Sequence, residues 1–519
     1  MSLFHSFWRN KRGSVATMFA IALIPLLGAT GAAIDYTRIE QVRQKLADAL
    51  DAGVLAVGSQ PPMSDAKAFD AVDAWVGAHM NGLPYKLESV VQSGEGITGK
   101  ATSDVEMSLA RLLGVNDVVV SVASQVLRTI GKVELVLVLD NTGSMQGTKI
   151  KTLISAANQL VDTLSKATKN PADLRIGLVP FSQTVNVGSQ YEAANWIDAA
   201  GQSDAAKNLF LGQKINRFDL FKKLDASWGG CIETRPMPYE TSEGFNTNDV
   251  ESLYVPYFAP DEPGKKGDKT YNNSYLDDSS IAAIVANLGL GPVASNLQWK
   301  YLQGDLLKYA AGKPLTGNTQ NLGYEYGPNS GCEIAPLLRL TSNTGVVHTA
   351  INKMIAQGNT DIPAGLAWGW NVLSPKGPFA DGEPYKDSEW TKIVVLMTDG
   401  NNENNVGNAK DESFYAGVGY MWQGRMGATS GSKSTRTDLR DQRLAAMCAG
   451  IKGAGKVKAD DPDGVVVYTI RVEVKNGSSD VLKNCASDDE KFYDVQNVNK
   501  LVSVFNDIGG SIQKLRISM

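Results

Sequence analysis

The sequence predicts an α/β protein: a mostly parallel sheet covered by helices on both faces, preceded by a transmembrane helix and a small α+β module. Three observations predict this class. Residues 14–34 are 21 consecutive uncharged residues. From Lys132 onward, continuous apolar strands alternate with helical patterns, as in a sheet buried on both faces. The length of 519 residues exceeds what one compact core holds, so several domains are expected. The net charge of −5, with no basic patch interleaved with aromatics, argues against a nucleic-acid binder. The three histidines, His5, His79 and His348, are far apart in sequence, which disfavours a zinc site or a histidine-based triad. The chemistry of the chain therefore rests on carboxylates and hydroxyls.

The N-terminal run is read first as an anchor. At about 1.5 Å per helical residue, such a run spans roughly 30 Å, the hydrocarbon thickness of a bilayer. Arg9, Lys11 and Arg12 precede it and Asp35 follows it, so the positive-inside rule leaves residues 1–12 in the cytoplasm and exports everything after Asp35. A cleaved signal peptide is the competing reading, because Gly31, Ala32 and Ala33 form a weak small-residue cleavage site. Retention is favoured on two grounds. The run exceeds a signal core of roughly 7–15 residues, and the helical pattern continues past it. Ile39, Val42, Leu46, Leu50, Val54 and Val57 recur at three- and four-residue spacing among charged residues. Pro25 is expected to kink the span rather than end it.

Residues 13–34 are thus the transmembrane helix and 35–60 an amphipathic stalk helix suited to a partner-helix surface. Residues 61–130 read as the α+β module: a helix over 65–80, strands over 85–92 and 97–105, a helical turn over 108–113 and a strand over 118–128. The main domain, 131–519, opens with a strand over 133–140 and a helix over 149–164, then a strand over 174–181. Later come a helix over 363–373, a strand over 392–397 and a helix over 438–452. A strand over 465–474, a short one at 492–495 and a helix over 498–515 complete it. About 165 residues intervene between the second strand and the Thr360 loop. This exceeds any ordinary connection, so 185–345 is expected as an inserted subdomain.

Open α/β sheets bind ligands beyond the carboxyl ends of their strands, and two acid-bearing motifs fall there. One is Asp140-Asn-Thr142-Gly-Ser144, where a buried strand stops; the other is Thr398-Asp399-Gly400. Between them lies Gly358-Asn-Thr360-Asp-Ile-Pro, a loop that opens a helix. Together these motifs resemble the metal-ion-dependent adhesion site of von Willebrand factor A domains, and the resemblance implies that Rossmann-like fold, interrupted by the insertion. It further implies Asp140, Thr142, Ser144, Thr360 and Asp399 as the metal-site residues, with threonine replacing the commoner serine at 142. Magnesium seeks about six oxygens in octahedral geometry, with calcium or manganese as alternatives. Few direct carboxylates would keep the ion electrophilic and leave a position for an acidic side chain from a protein partner. The competing reading of Asp140 and Asp399 is as turn and helix caps. Asp261-Glu262 and Asp277-Asp278 lack calcium-loop spacing, and Gly289-x-Gly291 lacks the lysine of a nucleotide site.

The N-terminal stretch RGSVATMFAIALIPLLGATGAAIDYTR, followed by QKLADALDAGVLA, resembles Tad/Flp pilus-assembly proteins of the TadE/TadG type. The segments WGGCIETRP, VPYFAPDEP, GCEIAPLLRLT, GNTDIPAGLAWGWNVLSP and VVLMTDGNN are similar to those of TadG-like members. This implies a single-pass protein of the bacterial inner membrane. Its A domain would be periplasmic, its partners pilus-assembly components, and its role non-enzymatic. Prepilins carry a glutamate five residues after the processed glycine; Met18 stands there after Gly13, so prepilin-peptidase cleavage is not expected. Two other functions compete: a surface adhesin released from the membrane, and a metal-dependent hydrolase using Asp140 and Asp399. Against the hydrolase stands the lack of further acids to hold two metals.

Cys231, Cys332, Cys448 and Cys485 allow three disulfide connectivities. The sequential pairing, 231 with 332 and 448 with 485, is preferred, and four buried thiols are the alternative.

Overall fold

The computed structural model describes residues 14–58, 60, 63–93, 96–127, 132–267, 273–277, 300, 302–310, 314–317, 325–387, 389–403, 414–456, 464–474 and 480–518. Arg9, Lys11, Arg12, Gly13, Asp278, Gly289 and Gly291 lie outside them. The chain divides into two compact units, residues 1–130 with 513–519, and residues 131–512.

In the first unit, one helix of 45 residues, Ser14–Gly58, runs through Pro25 without a break in its assignment. Its first half leaves Met18, Phe19, Leu26 and Leu27 more than half exposed. It is the one helix among the described residues long and apolar enough to cross a bilayer. Its second half carries the amphipathic stripe. The apolar stripe Leu46, Leu50, Val54 and Val57 is buried against Val72 and Val76 of helix Asp65–Met80 and against Leu87, Val90 and Ile97 of the sheet. A stripe of that width needs a partner, and it finds one in its own chain. The sheet is antiparallel, β1 (Lys86–Ser93), β2 (Gly96–Glu106) and β3 (Asp117–Leu127) in that order. Gly99 lets the helix approach, since a Cβ there would lie 2.7 Å from Val54 and 3.0 Å from Leu50. Just after the apolar first half, the buried Asp35 carboxylate accepts the backbone N–H groups of Ser108, Leu109 and Ala110 at 2.8, 3.0 and 2.7 Å. It thereby caps the helical turn Ala110–Leu113.

The second unit is organised by a six-stranded sheet. Its strands are β4 (Lys132–Asp140), β5 (Leu174–Phe181), β8 (Leu338–Thr341), β9 (Trp390–Thr398), β10 (Val466–Val472) and β11 (Phe492–Val495), in the order β11-β10-β9-β4-β5-β8. All neighbours are parallel except the edge strand β8, which is antiparallel to β5. Numbered along the chain within this sheet, the order is the doubly wound 3-2-1-4-5-6, with its switch point between β4 and β9. Apart from Lys132, every β4 residue is buried. Alternation puts Val136 and Val138 into one core with Leu366, Val372, Val394, Met447 and Val467. Leu135, Leu137 and Leu139, also fully buried, face the other way. Glu134 is tolerated inside this strand because it pairs with Lys392 and, at 3.0 Å, with Arg175.

Helix Ile362–Leu373 crosses β4 and β5 closely because it turns glycines toward them. A Cβ on Gly365 would meet the Phe181 ring at 2.4 Å, and one on Gly369 would meet Val138 at 2.4 Å. The two glycines are one helical turn apart, so both face the same way. Helix Lys433–Gly453 starts five residues before the expected boundary: Ser432 caps it, accepting from the Thr435 N–H at 3.2 Å, ahead of a polar first turn.

The described part of 185–345 packs largely into the core of the main sheet. Trp196, Phe210, Tyr254, Phe258 and Tyr309 share one continuous apolar cluster with Val136, Leu366 and Leu396. Its base is the two-stranded ribbon β6 (Val185–Asn186) and β7 (Cys231–Ile232), closed by a Cys231–Cys332 disulfide. A second disulfide joins Cys448 to Cys485.

Candidate metal centre

β4 and β9 are adjacent and parallel, with Leu139 opposite Met397, so both strands deliver their last residues to one end of the sheet. Asp140 is fully buried and Asp399 nearly so. Oδ1 of Asp140 accepts the backbone N–H of Thr142 at 2.8 Å, which turns the chain sharply out of the strand. Oδ2 of Asp140 accepts the Thr398 hydroxyl at 2.6 Å. The loop then presents the Thr142 and Ser144 hydroxyls 2.9 Å apart, and Ser144 donates to Asp399 Oδ1 at 2.6 Å. Two carboxylates and two hydroxyls thus form one chain of oxygens.

The third loop reaches the same place. The Gly143 N–H donates to the Gly358 carbonyl at 2.8 Å. A Cβ on Gly400 would lie 3.4 Å from the Thr360 hydroxyl. Thr360 is held by its neighbours: its carbonyl accepts the Glu403 N–H at 2.8 Å, and Asp361 caps helix Ile362–Leu373 by accepting from Ala364 at 3.1 Å. Asn402 ties the second and third motifs together. It accepts the Ile362 N–H at 2.9 Å and donates to Asp441 at 2.7 Å. Arg440 of helix Lys433–Gly453 is buried and bridges Asp361 and Glu240, each at 2.6 Å. All five sequence-predicted residues therefore meet at the switch point of the sheet.

Electrostatically the cluster is short of positive charge. Burial, then the Asp399 carboxylate, push the Asp140 carboxyl from 3.8 up to about 6. Among the described residues, Lys149 brings a cation to the cluster, its ammonium 2.6 Å from Asp399 Oδ2. Oxygen donors of mixed charge around an anionic pair suit a hard divalent cation such as magnesium, which Asp140, Thr142, Ser144, Thr360 and Asp399 would hold. The ion would supply Lewis acidity there. Among the described residues, no three or more histidine, cysteine, aspartate or glutamate side chains are grouped so that they alone could hold a metal ion.

The sequence assigns no site role to Thr398, Lys149 or Asn402, although Thr398 belongs to the second acid-bearing motif. Thr398 had a signal, since it immediately precedes Asp399 and lies opposite Asp140 once β4 and β9 are paired. Lys149 and Asn402 had none, because a helix-start lysine and a loop asparagine are ordinarily solvated.

No curated protein matches the chain in sequence. Among solved structures, the pilus adhesin SpaC from Lactobacillus rhamnosus GG is similar over 83% of this chain and 35% of its own, at 11% identity and a TM-score of 0.31. The chain thus spans about a third of SpaC. The vWF domain of the type V pili tip protein Mfa5 from Porphyromonas gingivalis is similar over 74% of this chain and 95% of its own, at 10% identity and a TM-score of 0.32. The adhesive tip pilin GBS104 from Group B Streptococcus agalactiae is similar over 73% of this chain and 99% of its own, at 14% identity and a TM-score of 0.30. Residues 13–60 match the Tad family profile, described as Flp pilus-assembly TadE/G-like, and the N-terminal segment of this chain is TadE/G-like.

Proposed function

We propose that this protein is a membrane-anchored component of a Tad/Flp-type pilus assembly system, and that its von Willebrand factor A-type domain binds a protein partner through a magnesium-dependent adhesion site. The observation that carries the reading is the meeting of Asp140, Thr142, Ser144, Thr360 and Asp399 at one end of the sheet. Capping alone accounts for the Asp140–Thr142 turn. It gives no reason for two buried carboxylates joined through a row of hydroxyls, an arrangement that costs stability unless a cation fills it. The strand order and the antiparallel edge strand support an A-type domain. An acidic side chain of the partner would complete the coordination, so the reaction class is binding rather than catalysis.

The anchor reading rests on the TadE/G-like match and on the unbroken helix Ser14–Gly58. Its place would be the bacterial inner membrane, with the N-terminus cytoplasmic and the large domain periplasmic. Two disulfides support export, because cytosolic thiols stay reduced. The test is affinity capture of the full chain from membranes in magnesium or in EDTA, beside the Asp140→Ala variant. Pilus-assembly proteins should co-purify in magnesium and be lost in EDTA and with the variant. Equal recovery in all three conditions would overturn the reading.

A further inference from the structure

Lys149 stands in an unfavourable place for a cation. It is the second residue of helix Thr148–Lys166, where the unpaired N–H groups and the helix dipole disfavour positive charge. The helix follows directly from the Asp140–Ser144 loop through Gly147, whose φ of +79° makes the turn. The ammonium is largely shielded and lies 2.6 Å from Asp399 Oδ2, on a carboxylate with no exposed surface. A second carboxylate, Glu473, lies 3.8 Å from the ammonium and is itself partly exposed. Glu473 stands just past β10 with a φ of +50°, and its other oxygen accepts the Val498 N–H at 2.9 Å. That bond keeps the side chain aimed toward the cluster.

We propose that Lys149 is a tethered cation that competes with a divalent ion for Asp399, and that Glu473 receives the ammonium when the ion binds. This rests on the metal-site reading above. Lys149 neutralises the Asp140–Asp399 pair in the ion-free protein. A divalent cation on Asp399 repels the ammonium, which needs only a rotamer change of its long side chain to pair with Glu473. Cation affinity is thereby set by a residue that is not itself a ligand. Without this internal competitor, the site would fill at lower magnesium concentration.

The test is magnesium titration by calorimetry of the full chain in detergent, with melting in EDTA measured in parallel. Lys149→Met should tighten magnesium binding at least tenfold and lower the melting temperature in EDTA. Lys149→Arg, which keeps the charge, should stay near wild type in both. Glu473→Gln should weaken binding several-fold in the wild-type background but leave it unchanged in the Lys149→Met background, because Glu473 acts through the lysine. Unchanged or weaker binding by Lys149→Met would overturn the proposal, as would additive effects of the two substitutions. If neither wild type nor Lys149→Met binds magnesium while EDTA melting still falls, the metal-site reading itself fails. Lys149 is then a structural counter-ion and the competition is refuted. If Lys149→Met leaves EDTA melting unchanged, the ammonium does not sit on Asp399 and the competition falls with it, whatever the ion does.

Discussion

Replacing Asp140 by asparagine should move metal-free stability and cation binding in opposite directions. Asp140 is fully buried, and its carboxyl is raised from 3.8 to about 6 by burial and by Asp399. The folded state therefore holds this proton more tightly than the unfolded chain. The group's stabilising contribution is full below about pH 4 and is lost as pH rises through about 6. The rise from 3.8 to about 6, at ~1.4 kcal/mol per tenfold change in proton affinity, puts roughly 3 kcal/mol on the ionised form at neutral pH. Asparagine removes that charge. It must also turn an amide N–H toward Thr398, whose hydroxyl would then accept instead of donate, and this takes back part of the gain. The expected net effect in EDTA at pH 7 is a stabilisation of about 1–3 kcal/mol, shrinking toward zero by pH 4–5. Urea unfolding followed by tryptophan fluorescence measures it. Seven of the nine tryptophans, all but Trp8 and Trp75, lie in residues 131–512, so the signal reports the larger unit. Magnesium at about 100 times its dissociation constant should add about 2.7 kcal/mol to wild type and nothing to the variant. A variant less stable than wild type in EDTA at pH 7 refutes a repulsive Asp140–Asp399 pair. A difference that does not change between pH 5 and pH 8 refutes it equally.

Three further outcomes follow from the packing around the site. Arg440→Ala strands Asp361 and Glu240 in the interior, where burial already pushes the Glu240 carboxyl upward. A loss of about 3–5 kcal/mol is expected in urea unfolding, with weaker magnesium binding because Asp361 adjoins Thr360. Gly365→Ala drives a methyl into the Phe181 ring and should cost about 1–3 kcal/mol by overpacking, read as a lower unfolding midpoint at unchanged slope. Replacing both Cys448 and Cys485 by serine opens a closure of 37 residues. Loop entropy puts the loss at about 4 kcal/mol, to be seen as a drop in melting temperature smaller than the one reducing agent causes in wild type, where Cys231–Cys332 opens as well.

The five candidate residues could be picked out because their loops adjoin elements whose pattern is strong. The run VELVLVLD reads as a buried strand with an acid at its end, and TDIPAGL reads as a loop opening a helix. What escaped was whatever depends on tertiary partners. The polar first turn of helix Lys433–Gly453 carries no apolar period, so its start read five residues late. The edge strand β8 is four residues long and partly exposed, too short to stand out within a segment read as an insertion. The aromatic residues of that segment looked like loop residues because they are scattered singly. Only folding shows Trp196, Tyr254 and Phe258 joining the sheet's own core. The stripe at Leu46–Val57 was visible as amphipathic, but nothing local says that the surface it meets belongs to the same chain.

A fold selected for stability alone would not end two adjacent central strands in buried carboxylates. Neutral side chains of similar shape at Asp140 and Asp399 would keep the turns and remove the repulsion. The imbalance gives two substitutions opposite signs in EDTA. Asp140→Asn removes one member of the like-charged pair and should stabilise. Lys149→Met removes the counter-charge and should destabilise. If the two acids were only caps, both variants would destabilise, because each removes a hydrogen-bonded partner and relieves nothing. The signs of these two shifts, measured side by side without metal, therefore separate a site that awaits a cation from a pair of structural turns.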